Sequence, residues 1–158
     1  MYDSRLKDIH IRLAQPSDCD QLASLRYCLW PESSAEEHRR ELTSLLGGEP
    51  SGTLPIAILV AEASDGVVGF LEAGLRSHAD GCDPARPVGY VEGWYVTANR
   101  QRQGIGSKLL AAAEDWARRQ GCLEMASDTW IDNGLSQRVH EALGFEVVDR
   151  CVHYRKPL

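Results

Sequence analysis

Long apolar runs are missing from this 158-residue chain. No stretch of about 18 apolar residues occurs, which excludes a membrane-spanning helix. The first ten residues, Met1 to His10, mix charges with few apolar side chains and lack the apolar centre of a secretory signal. A cytoplasmic protein with no membrane partner is expected. Cysteine is poorly arranged for cross-linking: Cys19, Cys28, Cys82, Cys122 and Cys151 make an odd number with no C-x-x-C pair. That pattern argues against a disulfide framework and against a zinc site, so no metal is expected. An excess of positive charge is also absent. Lys and Arg total 17 against 23 Asp and Glu, leaving a formal charge of −6. This is the wrong sign for a general nucleic-acid binder and the right sign for concentrating a cationic partner. Internal repeats and low-complexity tracts are lacking too.

What is present suits one folded domain spanning residues 1–158, with 43% hydrophobic and 25% charged residues. Ile9 to Leu13 alternates apolar and polar residues and reads as a first strand. Ser17 and Asp18 offer an N-cap to a helix carrying Leu22, Leu25 and Leu29, which stops near Trp30-Pro31. Ser33 and Ser34 open a second helix to Leu46, ended by Gly47-Gly48. Glu49 to Pro55 is a loop. The apolar run Ile56 to Ala63 and its partner Val67 to Arg76 flank the hairpin signal Asp65-Gly66. Ser77 to Pro87 is a long irregular loop of the kind that carries function. Gly89 to Val96 is a strand, and Gly104 to Gln120 a long amphipathic helix with Ile105, Leu109, Leu110, Ala113, Trp116 and Ala117 on one face. Cys122 to Ser127 is a short strand, Asn133 to Leu143 a helix, and Phe145 to Val148 and Cys151 to Tyr154 two last strands. The order β-α-α-β-β-β-α-β-α-β-β describes a mixed α/β domain with one strand–helix–strand crossover.

The segment between that crossover strand and its helix has the ingredients of an anion site. A strand leads through Thr97-Ala98-Asn99-Arg100 into Gln101-Arg102-Gln103-Gly104-Ile105-Gly106, where the helix begins. The first turn of a helix has free N–H groups and the positive end of its dipole. Two glycines let the backbone approach a phosphate closely, and Arg100 and Arg102 add charge. A tight turn with a solvated basic flank accounts for the same fragment. It is not a P-loop, and Leu109 stands where a dinucleotide fingerprint needs its third glycine.

Gln101-x-x-Gly-x-Gly106 with Ser107-Lys-Leu-Leu110, and Asn133 followed by Leu143-Gly-Phe145, resemble the acyl-CoA loop and following helix of the GNAT acetyltransferase superfamily. The order of elements is similar throughout. That resemblance implies a mixed, mostly antiparallel central sheet with splayed strands flanked by helices, and acetyl-CoA as cosubstrate. It implies that Gln101, Arg102, Gln103, Gly104, Ile105 and Gly106 hold the pyrophosphate. Trp94, Tyr95 and Val96 would pair with the pantetheine and aim an amide at the thioester carbonyl, an oxyanion donor contributing about 3 kcal/mol. Asn133 is implied as a cofactor contact and serves equally as a helix N-cap.

Acetyl transfer to an amine needs groups that attract an ammonium and take its proton, which carboxylates do. Glu92 stands in the middle of an apolar strand, facing either a cleft or solvent. Asp128 follows a strand end, where it lines a site or caps a turn. Asp149 lies between the two expected last strands, as a ligand or an ordinary turn residue. Leu29-Trp-Pro31, Asp80-Gly-Cys-Asp83, Val91-Glu-Gly93, Met125-Ala-Ser-Asp-Thr129, Ser136-Gln-x-Val-His140 and Tyr154-Arg-Lys156 are similar to bacterial aminoglycoside 6'-N-acetyltransferases. The resemblance implies an antibiotic-resistance enzyme, with Glu92, Asp128 and Asp149 on the amines and Trp30 lining the sugar pocket. His78 is the nearest candidate for an aromatic in the Ser77–Gly81 loop. A homodimer through the C-terminal strands is also implied. Many GNAT enzymes place an acidic Tyr where this chain has His140, so the proton for the leaving thiolate falls to His140, Tyr154 or water, and His140 also suits a packed helix position. Acetylation of another cationic amine (a polyamine or a peptide N-terminus) and non-catalytic acyl-CoA sensing are the competing readings.

Overall fold

The computed structural model describes residues 8–48 and 54–158; most of the expected loop 49–55 lies outside them. Among the described residues nine α-helices and strands follow one another: β1 (His10–Leu13), α1 (Cys19–Leu29), α2 (Ala35–Leu46), β2 (Ile56–Ala63), β3 (Gly66–Arg76), β4 (Val88–Val96), α3 (Ile105–Arg119), β5 (Met125–Ser127) and α4 (Gly134–Ala142). The strands form one sheet in chain order. β1 to β4 are antiparallel. β5 joins β4 in parallel after the α3 crossover. This is the mixed, mostly antiparallel sheet expected from the sequence.

Local chemistry explains the boundaries. Ser34 caps α2: its Oγ accepts the Glu37 amide at 3.2 Å while the Glu37 carboxylate accepts the Ser34 amide at 2.7 Å. Such a reciprocal cap contributes on the order of 1 kcal/mol. The β2–β3 turn falls on Ser64-Asp65, because Ala63 pairs with Gly66, one residue earlier than the Asp-Gly signal suggested.

Strand alternation sorts the core into two layers. Ile58, Val60 and Phe70 pack under α1 and α2 with Leu22, Leu25 and Leu42. Ala57, Leu59, Ala61, Leu71 and Val91 pack under α3 with Ile105, Leu109, Ala113 and Trp116. Each fully buried large side chain, such as Phe70 or Leu109, contributes roughly 1.5–3 kcal/mol. Inside the first layer lies a buried ion pair. Arg26 donates from Nε and Nη2 to the two carboxylate oxygens of Glu72 at 2.5 and 2.8 Å.

β4 carries an irregularity that shapes the site. Val91 pairs with Ala73 and Gly93 with Glu72, so Glu92 is an extra residue without a partner on β3. The bulge reverses the side-chain parity of the strand. Val91 faces the α3 layer, and so do Trp94 and Val96, whereas Gly93 and Tyr95 face α1.

Two expectations need correction. The strand expected over Cys122–Ser127 begins only at Met125, since Cys122 still closes the end of α3 by donating its amide to the Ala117 carbonyl. The strands expected over Phe145–Val148 and Cys151–Tyr154 do not form: residues 145–158 are irregular. A strand exists only with a paired neighbour, and the sheet ends at the three residues of β5. The apolar residues that suggested strands, Val147, Val148 and Val152, are exposed.

Candidate active site

The loop after β4 is held by its own side chains. Thr97 donates its amide to the Val68 carbonyl, and residues 98–100 form one 3-10 turn. Gln101 Nε2 donates to the Val96 carbonyl at 2.9 Å, and Gln103 Nε2 to the Asn99 carbonyl at 3.2 Å. Arg100 turns away to the hairpin and grips Asp65 at 3.0 and 3.1 Å, which leaves Arg102 as the loop's other cation. Arg102 and Gly104 both have positive φ, 60° and 77°. Gly104 is the N-cap of α3, and no atom lies within 4 Å of where its Cβ would be. The first helical hydrogen bond from this end is donated by Lys108 to Gly104, so the amides of residues 105–107 point out of the helix end. Buried Ile105 roots the turn in the α3 core. A Cβ on Gly106 would come within 3.2 Å of the Trp94 indole. Helix end and strand are therefore in direct contact, and an anion at the loop is close to β4.

The parallel pairing of β4 with β5 covers only Gly89–Val91 against Met125–Ser127. Beyond Ser127 the two strands part, and the acidic residues collect around that opening. Glu92, on its bulge, pairs with Arg76 through two hydrogen bonds of 2.8 and 3.1 Å. The Arg76 guanidinium lies 3.3 Å above the Tyr90 ring. Burial pushes the Tyr90 phenol up to about 12, and Asp128, which hydrogen-bonds it, adds to the shift. Glu92, Arg76, Tyr90 and Asp128 thus form one chain of contacts across β3, β4 and the end of β5. Both carboxylates keep an exposed side, as capture of an incoming cation requires.

Trp30 borders this group from the α1 side. Its ring packs on Phe70 and lies 5.6 Å from the Arg26 guanidinium. A Cβ on Gly93 would sit 2.3 Å from it, so only glycine fits beside the bulge. A cavity of about 290 Å3 lined by Arg26, Glu41, Glu72 and Glu92 opens next to it. His78 is exposed in the 77–87 loop, 3.7 Å from Asp80. Asp149 is exposed and accepts the Arg150 amide at 2.6 Å. Its neighbour Val148 covers Gly81, which lays the C-terminal segment against the loop that carries His78. Tyr154 is 92% exposed.

On the other side of the opening, Asn133 caps α4 by accepting the Ser136 amide at 3.1 Å. His140 is lodged between strands and helix. Its Nε2 lies 2.8 Å from Ser127 Oγ and its Nδ1 2.7 Å from the Ser136 carbonyl. The ring meets Trp94 edge-on at 5.9 Å and Phe145 at 5.2 Å. Sequence reasoning did not single out Arg76, Tyr90 or Ser127. Their partners lie 13 or more residues away, and the only available signal was that Tyr90 and Glu92 share strand parity. Among the described residues no cluster of His, Cys, Asp and Glu suits a metal ion, and no helix is long and apolar enough to cross a membrane.

Known proteins share both the sequence and this arrangement. The model of the acetyltransferase (GNAT) family matches residues 19–145. An aminoglycoside N(6')-acetyltransferase type 1 of Klebsiella aerogenes is 40% identical over 149 residues, covering 94% of this chain and 96% of that protein. A protein of the same name from Serratia marcescens is 41% identical over 150 residues, covering 94% and 99%. The solved structure of AAC(6')-Iy in complex with the bisubstrate analogue CoA-S-monomethyl-acetylneamine superposes with a TM-score of 0.84, at 34% identity over 95% of this chain and 99% of that one. With the family model matching most of its length and relatives about 40% identical over nearly all of it, the chain belongs to the acetyltransferase (GNAT) family.

Proposed function

We propose that this protein transfers the acetyl group of acetyl-CoA to the 6'-amine of an aminoglycoside antibiotic and thereby confers resistance. The observation that carries the reading is the pairing of two half-sites across one opening. A helix end with outward amides, at Gly104 and Gly106, lies on one side, and the carboxylates Glu92 and Asp128 lie on the other.

Acetyl-CoA supplies an activated acyl group. Its pyrophosphate suits the outward amides of residues 105–107, with Gln101, Arg102 and Gln103 shaping the loop. The pantetheine suits the free edge of Trp94, Tyr95 and Val96, where a β4 amide can donate to the thioester carbonyl. An oxyanion donor of this kind is worth about 3 kcal/mol in the transition state. Asn133 supports that side by fixing the start of α4.

The amine arrives as an ammonium, which cannot attack. Glu92 and Asp128 draw it in, helped by the acidic charge of the chain, and a carboxylate, directly or through water, takes the proton. Asp149 and His78 extend the acceptor side, and Trp30 walls it. Glu92 is already paired with Arg76, so an arriving ammonium competes with a guanidinium. Tyr154, an exposed phenol on the C-terminal segment, lies apart from these contacts. The protein works as one domain in the cytoplasm. As a homodimer, it would pair the exposed 145–158 segment with a second copy, and light scattering of the purified protein tests that state.

The deciding experiment mixes the protein with acetyl-CoA and an aminoglycoside bearing a 6'-amine, with a matched 6'-hydroxyl compound alongside, and follows thiol release. Release with the amine alone supports the proposal. Release with both overturns the 6' position. Release with neither, but with another amine, moves the activity to a different acceptor, and CoA binding without any turnover marks a sensor.

A further inference from the structure

The proposed reaction leaves open which group protonates the departing thiolate, and beside the opening His140 is held by Ser127. The Nδ1 of His140 faces the Ser136 carbonyl at 2.7 Å. A carbonyl only accepts, so Nδ1 carries the hydrogen in both protonation states of the ring. Ser136 Oγ, 3.3 Å away, flanks the same nitrogen. Nε2 is therefore the nitrogen that changes. In the neutral ring it accepts the Ser127 hydroxyl at 2.8 Å, and in the imidazolium it donates to Ser127 Oγ and turns the hydroxyl hydrogen outward. Trp94 and Phe145 hold the ring on two sides. Ser127 is the last residue of β5, opposite Val91, where the pairing with β4 ends. The gap between β4 and β5 opens at this residue, beside the Trp94–Val96 stretch along which the proposed function lays the thioester. Tyr154, by contrast, is exposed on the irregular C-terminal segment.

We propose that Ser127 hands the departing thiolate its proton and that His140 is the positioning residue that replaces it, an assignment that rests on the acetyl-transfer reading. When the tetrahedral adduct collapses, the C–S bond breaks and its electron pair leaves on sulfur. The Ser127 O–H hydrogen passes to sulfur, and the Nε2 hydrogen of the His140 imidazolium passes to Oγ. The products are the amide, a free thiol and a neutral imidazole. The proton released by the attacking amine returns to Nε2 through water, which closes the balance.

The test compares wild type with Ser127→Ala, Ser127→Thr, His140→Phe and the Ser127→Ala/His140→Phe double variant. Wild type comes first: a protein that neither binds CoA nor transfers acetyl overturns the acetyl-transfer reading itself. With wild type active, Ser127→Ala and His140→Phe should each lose at least about tenfold in kcat with both KM values within about twofold, and the double variant should be no slower than the slower single. Ser127→Thr, which keeps the hydroxyl, should recover most of kcat and guards against a folding artefact. Independently of turnover, nitrogen-15 NMR of the substrate-free protein should show neutral His140 protonated on Nδ1, with an Nε2 resonance that moves in Ser127→Ala. A wild-type kcat in Ser127→Ala, losses that multiply in the double variant, or a ring protonated on Nε2 would overturn the relay.

Discussion

Replacing Glu72 by Gln is the sharpest test of what holds the floor of the candidate acceptor site. The change keeps the volume and removes one charge from a pair whose side chains are 6% and 8% exposed. Arg26 would then be a buried cation with Glu41 as its remaining partner, 3.0 Å away and 66% exposed. Breaking a buried pair from one side costs about 3–5 kcal/mol, because the desolvated survivor has lost its compensation. The contact with Glu41 offsets part of this, which places the expected loss near 3 kcal/mol. Domains of this size are stable by about 5–15 kcal/mol, so the loss is a large share of the total. With an m-value of about 2 kcal/mol per molar urea, the unfolding midpoint should fall by roughly 1.5 M. The double change Arg26→Met with Glu72→Leu removes both charges and should lose less than Glu72→Gln alone. A Glu72→Gln midpoint within about 0.5 M of wild type, at unchanged m, would refute the reasoning.

Three further outcomes are expected. At Gly104 there is room for a methyl group but the backbone is left-handed, so Gly104→Ala should cost about 1 kcal/mol of stability, whereas Gly104→Asp should also abolish CoA binding by charge repulsion, as read by calorimetry. Asp128→Asn should lower kcat/KM for an aminoglycoside at least about tenfold, or about 1.4 kcal/mol, and a wild-type value in steady-state kinetics would remove Asp128 from the site. Hydrogen bonds from Arg12, with the Gln15 amide, hold the Asp18 carboxyl below its ordinary range against the opposing effect of burial. A depressed folded value stabilises the protein above the unfolded pKa of about 3.9 and is lost as pH falls through the folded value. Melting temperature should therefore drop as pH falls below about 4, and Asp18→Asn should flatten that drop.

The sequence made the order of elements legible through residues whose message is local. Ser34 with Glu37, Gly104 and Gly106 at the mouth of α3, and the apolar face from Ile105 to Ala117 all act within a turn or two. The glycines of the loop marked the stretch that opens α3 with Gly104 as its N-cap. Less legible was anything decided across the sheet. Strict alternation from Val91 puts Trp94 on the opposite face, and only the register of β4 against β3 reveals the extra residue at Glu92. Arg100 looked like a phosphate ligand beside Arg102, but Asp65, 35 residues earlier, holds it. The apolar alternation in 145–158 suggested strands, yet alternation records which residues suit a pleated surface and says nothing of whether a neighbour is there to pair.

The bulge at Glu92 has a consequence for how this enzyme can change. It splits β4 into two lengths that answer to different demands. Gly89–Val91 is pinned by its pairing with β5, and Gly93–Val96 by the loop and α3, while the residue between them has no partner on β3. A side chain at that position can be exchanged without breaking a ladder pair on either side. Under the proposed function, the acceptor face could thus be retuned for a new cation while the donor face stays in register, and substrate range and cofactor grip would vary independently along a single strand.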